Sequence, residues 1–348
     1  MNLTHDEIRD WIPGVILPWY RENARDLPWR RTLEPYEIWL SEVMLQQTRV
    51  EAVRGYYSRF LTALPTLSHL AQVEEDKLLK LWEGLGYYSR ARNLKRAAQM
   101  IEAQYGGLFP RRHADILALP GIGPYTAAAI ASICFALPHP AIDGNVLRLW
   151  SRVFAASDCI DLPQVKAAVR EFFAPLYVSN SPGDLNQALM ELGALVCLPN
   201  GAPLCDVCPL SPFCRARAMG NQRAYPVKAK KRPRRIEEKT VFILLADEAL
   251  AVEKRAETGL LAGLWALPNV LGTLTEHEAL SQVTDWGANP VELLKSSQRK
   301  HIFTHVEWHM RGYYFKCRSQ SSQFTWATPE ERAAYIALPT AFRQFLSE

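Results

Sequence analysis

The sequence predicts two domains, a mainly α-helical one followed by a smaller α+β one, and three observations support that division. Over residues 1 to about 220, apolar side chains recur at helical spacing between Pro and Gly breaks. A basic run then follows, Lys228, Lys230, Lys231, Arg232, Arg234 and Arg235, interrupted by Pro233. Beyond it, short β-branched and aromatic stretches alternate with turn formers, which is the texture of strands. The boundaries are 1–225 for the helical domain, with a four-cysteine loop at 197–214, then 226–238 for a basic linker and 239–348 for the second domain. At 348 residues the chain is long enough for each domain to bury its own core.

Composition narrows the class. Apolar residues are 48% and charged residues 22%, as in an ordinary globular protein. No apolar run approaches the roughly 20 residues that span a bilayer, so no membrane partner is expected. The start, Met1-Asn2-Leu3-Thr4-His5-Asp6, lacks the basic-then-apolar plan of a signal peptide. With closely spaced thiols, these features point to the reducing cytoplasm. A net charge of +4 is mild and does not by itself argue for nucleic acid.

Taken in order, helical spacing recurs at Ile38-Trp39-Val43-Leu45, Leu78-Leu79-Leu81-Trp82, Leu94-Ala97-Ala98-Ile101 and Ala127-Ala128-Ile130-Ala131. Gly106-Gly107 and Pro138-His139-Pro140 separate such segments. The basic run reads as a solvated linker, with phosphate contact as the alternative. After it, Thr240–Leu245, Leu250–Val252 and Gly312–Phe315 read as strands. Helices are expected near Glu276–Val283 and over Pro339–Leu346. His301, His305 and His309 lie four apart and would share a helix face as metal ligands, but Thr, Val, Phe and Trp between them favour a strand. Cys134, Cys159 and Cys317 read as small buried hydrophobes.

Three constellations carry chemistry. Cys197, Cys205, Cys208 and Cys214 are spaced C-x7-C-x2-C-x5-C within a Pro- and Gly-rich loop. Such a loop can wrap thiolates around one small centre. A single CxxC with unequal arms favours one [4Fe–4S] cluster over zinc, with a disulfide pair behind both. The second is Leu119-Pro120-Gly121-Ile122-Gly123-Pro124-Tyr125-Thr126-Ala127. Here Pro120 stops one helix, Gly121 and Gly123 permit a tight turn, and the next helix begins with amides free for a phosphate. Such a hairpin grips a DNA backbone without reading sequence; the alternative is a plain connection. Third, Asp143 precedes a helical stretch, as a helix cap or as a carboxylate placed to face a sugar carbon.

The hairpin, the Asp and the cysteine loop together resemble the helix–hairpin–helix DNA glycosylase superfamily that includes endonuclease III, over roughly residues 25 to 220. Bifunctional members place a Schiff-base lysine two residues past the second hairpin glycine. Tyr125 stands there, so the resemblance implies a monofunctional enzyme that uses water.

Trp39-Leu40-Ser41-Glu42-Val43-Met44-Leu45-Gln46-Gln47-Thr48 sharpens the resemblance. On a helix Glu42 shares its face with Ile38, Trp39, Leu45 and Gln46, and burial there raises a carboxyl pKa towards that of a general acid. A buried Glu satisfied by a local hydrogen bond is the alternative. The stretch is similar almost residue for residue to MutY-type adenine DNA glycosylases, as is Trp82-Glu83-Gly84-Leu85-Gly86-Tyr87-Tyr88-Ser89-Arg90-Ala91-Arg92-Asn93-Leu94.

The resemblance implies a base-excision repair enzyme that hydrolyses the N-glycosidic bond of adenine opposite 8-oxoguanine or guanine. Its partner is mispaired double-stranded DNA; the protein is expected to be a monomer, nucleoid-associated in use. It also implies roles: Glu42 protonates N7 of a flipped adenine, Asp143 stabilises the oxocarbenium-like sugar, and Tyr125 and Asn145 orient the two carboxyls. Gln47 and Tyr87, with Leu85 nearby, would fill the stack; core packing is the alternative for Tyr87 and Tyr88. The second domain resembles the family's Nudix-like domain through Gly259-Leu260-Leu261-Ala262-Gly263-Leu264-Trp265-Ala266-Leu267-Pro268, without the acidic box of a pyrophosphohydrolase. Phe303-Thr304-His305 matches the family's F-S-H loop for oxidised guanine, with Thr for Ser. Two departures stand out: the family's first cysteine arm is C-x6-C, and Leu147 occupies a position that is lysine in some members.

Overall fold

The computed structural model describes residues 4–230 and 233–346, and the chain divides into two compact units. The first comprises Met1–Gln72 and Asn93–Lys230, the second Val73–Arg92 and Lys231–Glu348. The two-domain architecture expected from the sequence is present, helical first and sheet-bearing second. Segment 73–92, however, belongs to the second unit, and the helix Ser89–Tyr105 is continuous across the division.

The first unit is built of helices, each marked by its local chemistry. His5–Asn23 begins with a capping box in which Thr4 and Glu7 satisfy each other's backbone amides. Pro35–Leu45, Pro124–Phe135, Pro163–Phe173 and Pro182–Leu195 start on proline, whose missing N–H costs nothing in a first turn. Pro35–Leu45 is buried at Tyr36 and from Ile38 through Met44, which explains its apolar run and places Glu42 inside. A second core joins Gly144–Phe154 to Pro182–Leu195 through Val146, Leu149, Leu185, Leu189 and Leu192. Each segment with apolar helical spacing lies on a helix, with Trp82 as the C-cap of its own.

In the second unit, β1 (Arg235–Ala246), β2 (Ala249–Lys254), β3 (Trp265–Ala266), β4 (Asn269–Leu271), β5 (Pro290–Ile302), β6 (Val306–Cys317) and β7 (Thr325–Ala327) form one mixed sheet. The order is β3-β2-β1-β6-β5, with β4 paired to β1 and β7 to β2. β1 and β6 are parallel, with Val241 opposite Gly312. Val241 and Ile243 point into one core, Phe242 and Leu244 into another, so β1 is covered on both faces and its apolar run is continuous rather than alternating.

Three expectations change. β1 begins at Arg235, so the basic segment ends in a strand rather than before it; Lys231 and Arg232 lie outside the described residues. The expected terminal helix shortens to Thr340–Arg343. The sequence predicts no strand over β5, because it is an edge strand with few buried side chains and hence no apolar alternation. Of the three cysteines outside the loop, Cys317 is buried, whereas Cys134 and Cys159 are only partly so.

Candidate active site

A cleft of about 860 Å³ in the first unit is lined by Glu42, Tyr125, Asp143 and Asn145. Glu42 comes from Pro35–Leu45, Tyr125 from the first turn of Pro124–Phe135, and Asp143 and Asn145 from the start of Gly144–Phe154. The sequence spreads these residues over about a hundred positions; the fold gathers them in one wall.

Asp143 caps its helix. Its Oδ1 accepts from the backbone N–H of Asn145 at 2.9 Å and of Val146 at 2.8 Å. Its Oδ2 accepts from Asn145 Nδ2 at 2.6 Å. The N-cap reading is correct, and the same carboxylate lines the cleft. Burial raises the Asp143 pKa, while those hydrogen bonds and the nearby Arg148 guanidinium oppose the rise. Glu42 is 8% exposed. Burial lifts its carboxyl to about 7; the Tyr125 hydroxyl pulls the other way, Asp143 adds to the rise and Arg30 again opposes it. At Asp143 three donors oppose the effect of burial, whereas at Glu42 burial leads and favours the neutral carboxyl.

Further residues that sequence reasoning missed hold this arrangement. The buried Arg148 donates to Asn145 Oδ1 at 2.8 Å, Gly193 O at 2.7 Å and Cys197 O at 2.7 Å. One guanidinium thus ties the Asp143 support to the start of the cysteine loop. Gly193 lies so close that a Cβ there would sit 2.5 Å from Asn145 Cβ. Glu191, 1% exposed, accepts from Arg25 Nη2 at 2.7 Å and Arg30 Nη2 at 2.6 Å in the same cleft. Burial alone would raise the Glu191 pKa; the two arginines outweigh it and hold it down at about 2. Farther along the lining stand Lys166, Arg170 and Lys228, with Asp161 among them.

The hairpin takes the expected form. Gly121 has φ +76, and a Cβ on it would meet Asn93 Cβ at 2.5 Å, so only glycine fits. Gly123 differs: its φ is −95 and nothing lies within 4 Å of a Cβ. It serves as the N-cap of Pro124–Phe135 with no side-chain cap, leaving the first amides free.

Gln47 and Tyr87 share an unusual backbone. Gln47 has φ +58 and Tyr87 φ +47, left-handed conformations that cost a non-glycine residue and cluster at functional sites. Gln47 is exposed and Tyr87 is 47% exposed, whereas its neighbour Tyr88 is only 6% exposed, so core packing accounts for Tyr88 alone. Leu85 is buried. In the second unit the Tyr87 hydroxyl lies 3.2 Å from Thr304 Oγ1. Phe303, Thr304 and His305 form the β5–β6 turn, closed by Phe303 N–H donating to Val306 O at 2.8 Å. Phe303 packs edge-on against Trp308 at 4.8 Å, which leaves Thr304 and His305 exposed. The three histidines fall on two strands and this turn, not on one helix face.

The four loop cysteines line one largely apolar cavity with Leu149, Val153, Val196 and Leu210. Arg152 Nη1 donates to Cys197 Sγ at 3.2 Å. Burial, then the neighbouring thiols, push the Cys208 thiol up to about 12. Four thiolates could coexist there only around a compensating positive centre, so the donor set fits a cationic cluster. Within the first arm residues 199–202 are exposed, Gly201 has φ +76, and Leu204 N–H donates to Val196 O at 2.9 Å.

Comparisons with known proteins agree with this architecture. Residues 40–175 match the HhH-GPD superfamily of base excision DNA repair proteins, and residues 240–348 match the NUDIX domain. The adenine DNA glycosylase of Homo sapiens is 33% identical over 95% of this chain and 73% of its own length. That of Buchnera aphidicola subsp. Baizongia pistaciae is 33% identical over 84% of this chain and 82% of its own. Among solved structures, a thermostable thymine-DNA glycosylase superposes with a TM-score of 0.56 at 30% identity, over 62% of this chain and 98% of its own. A trapped endonuclease III–DNA intermediate, with a TM-score of 0.52 at 22% identity over 63% and 99%, shares the fold. The chain belongs to the adenine DNA glycosylases, base-excision repair enzymes that hydrolyse the N-glycosyl bond of adenine in DNA.

Proposed function

We propose that this enzyme removes adenine paired with 8-oxoguanine, and more weakly with guanine, by hydrolysis alone. The observation that carries the proposal is the pair of carboxyls in one cleft, Glu42 lifted to about 7 by burial and Asp143 held by three donors. An extruded adenine in that cleft would accept the Glu42 proton at N7, making the base a neutral leaving group. As the C1′–N9 bond opens, Asp143 faces the developing positive charge on the sugar, and water completes the hydrolysis. Tyr125 stands where an imine-forming lysine would be needed for strand cleavage, and Leu147 is 4% exposed and apolar, so neither position offers a nucleophilic amine.

Gly121 and Gly123 present the hairpin amides to a phosphate, and Lys166, Arg170 and Lys228 supply charge for the backbone. Gln47 and Tyr87, in strained exposed conformations, would fill the space left by the base, with the buried Leu85 fixing the loop behind Tyr87. Thr304, with Phe303 anchoring its turn and His305 beside it, would read the oxidised guanine. Cys197, Cys205, Cys208 and Cys214 would hold one [4Fe–4S] cluster. The cluster supplies structural order to the loop rather than any step at the sugar. We assign the functional unit as one chain on duplex DNA.

The test is a single-turnover reaction on a labelled duplex with adenine opposite 8-oxoguanine, guanine or thymine, quenched with and without alkali. Free adenine from the 8-oxoguanine duplex first, then the guanine duplex, with strand breaks only after alkali, is expected. Strand breaks without alkali, or equal release opposite thymine, would contradict the proposal.

A further inference from the structure

The loop that presents Tyr87 is fastened to the rest of the second unit at a point that takes no part in base removal. Helix Glu75–Leu81 ends at Trp82, and Glu83 follows at the head of the turn that carries Leu85 and Tyr87. Glu83 Oε1 accepts from the backbone N–H of Leu338 at 2.8 Å, and its Oε2 accepts from Lys80 Nζ at 2.9 Å. Lys80 Nζ also donates to Ile336 O at 3.1 Å. Ile336 and Leu338 are buried in the same core as Trp308, on which Phe303 packs. One carboxylate and one ammonium therefore tie the Tyr87 loop to the core that carries the Phe303-Thr304-His305 turn. The loop is itself well braced, since Gly86 O accepts from Trp82 Nε1 and from Arg90 Nη2, each at 3.1 Å.

We infer that Glu83 is a positioning residue for the choice of opposite base: by holding Leu338 N–H and Lys80 it sets Tyr87 and Thr304 at the spacing that reads oxidised guanine. This rests on the proposed reading of Thr304 and adds what holds that reader beside Tyr87. The 3.2 Å contact between the Tyr87 and Thr304 hydroxyls is exposed, so water competes for it and it cannot fix the loop alone. The Glu83 side chain is 15% exposed and that of Lys80 22%, so their pair is shielded where a surface pair would be screened. Without the carboxylate, the buried Leu338 N–H loses its acceptor, a cost relieved when the segments part to admit water. A shift of about half an ångström takes the two hydroxyls beyond hydrogen-bonding distance.

The experiment measures single-turnover adenine release from duplexes with adenine opposite 8-oxoguanine or guanine, with enzyme in excess over DNA but below saturation. The proteins are the parent, Glu83→Ala, Glu83→Gln, Thr304→Val and the Glu83→Ala, Thr304→Val double variant. Glu83→Ala is expected to lower the ratio of the two rates about fivefold, the worth of one hydrogen bond, by slowing the 8-oxoguanine duplex. Glu83→Gln keeps an oxygen for Leu338 N–H, and its ratio should stay within about twofold of the parent. In the Thr304→Val background, Glu83→Ala should move the ratio no further, because the contact it serves is already gone. An unchanged ratio in Glu83→Ala would overturn the inference. So would equal slowing on both duplexes, which would mean a general loss of structure, or Glu83→Gln behaving as Glu83→Ala does. The same fall in the Thr304→Val background would overturn it too, since Glu83 would then act elsewhere. If Thr304→Val alone leaves the parent's ratio unchanged, the reading of Thr304 fails and takes the inference with it.

Discussion

Glu42→Gln is expected to bind the 8-oxoguanine duplex as the parent does and to release adenine about a thousandfold more slowly, the range lost with a general acid. Glutamine keeps the size of the side chain and can still accept from Tyr125, so the cleft retains its shape. What it lacks is a proton to give N7. The same substitution should be stabilising at alkaline pH. The Glu42 pKa rises from 4.5 unfolded to about 7 folded, chiefly through burial. A raised folded pKa contributes stability that is complete below about 4.5 and is lost as pH rises through about 7. Ionising this buried group therefore costs up to about 3 kcal/mol, a cost that an uncharged glutamine side chain does not incur. Glu42→Gln should melt above the parent at about pH 8.5 and near it at about pH 4.5. Near-normal turnover would refute the acid role, and equal melting at alkaline pH would refute the burial argument.

Asp143→Asn separates a helix cap from a reacting carboxylate. Asparagine caps helices as well as aspartate does, and its oxygen can still accept from the amides of Asn145 and Val146. Its Nδ2 would meet Asn145 Nδ2 donor to donor, forfeiting the 2.6 Å bond. Stability should fall by only about 1 kcal/mol. Release of adenine should fall by about a hundred- to a thousandfold, because the negative charge facing the opening sugar is gone. Were Asp143 only a cap, the substitution would leave the rate within a fewfold of the parent. Thermal melting and single-turnover rates on one preparation distinguish the two.

The parts of the site legible in the sequence are those written in short segments. Glu42 stands out because a charge sits among the apolar residues from Ile38 to Leu45, and Pro35–Leu45 is indeed buried on most sides there. Asp143 is ambiguous between cap and catalyst because it is a cap, and only the fold shows that it also lines the cleft with Glu42. The supports are illegible for a physical reason. Arg148 reaches Cys197 across 49 residues, and Arg25 and Arg30 meet Glu191 across 166 and 161. No periodicity records such pairings. Gly193 reads as any helical glycine until its closeness to Asn145 is seen. The same limit explains β5, whose side chains are too exposed to leave a two-residue pattern. Tyr87 and Tyr88 are chemically identical in sequence; the left-handed turn at Tyr87 puts one outside and the other in the core.

The claim that a buried, protonated Glu42 drives hydrolysis meets its most direct test in the pH dependence of the parent enzyme. Single-turnover adenine release from the 8-oxoguanine duplex is measured at saturating enzyme from mildly acidic to alkaline pH. A rate that declines above about 7, the folded pKa of Glu42, is the expected result. The decline should approach about tenfold per pH unit, since one proton must be present. A rate that stays level, or climbs, through about pH 9 would contradict the assignment of Glu42 as the acid.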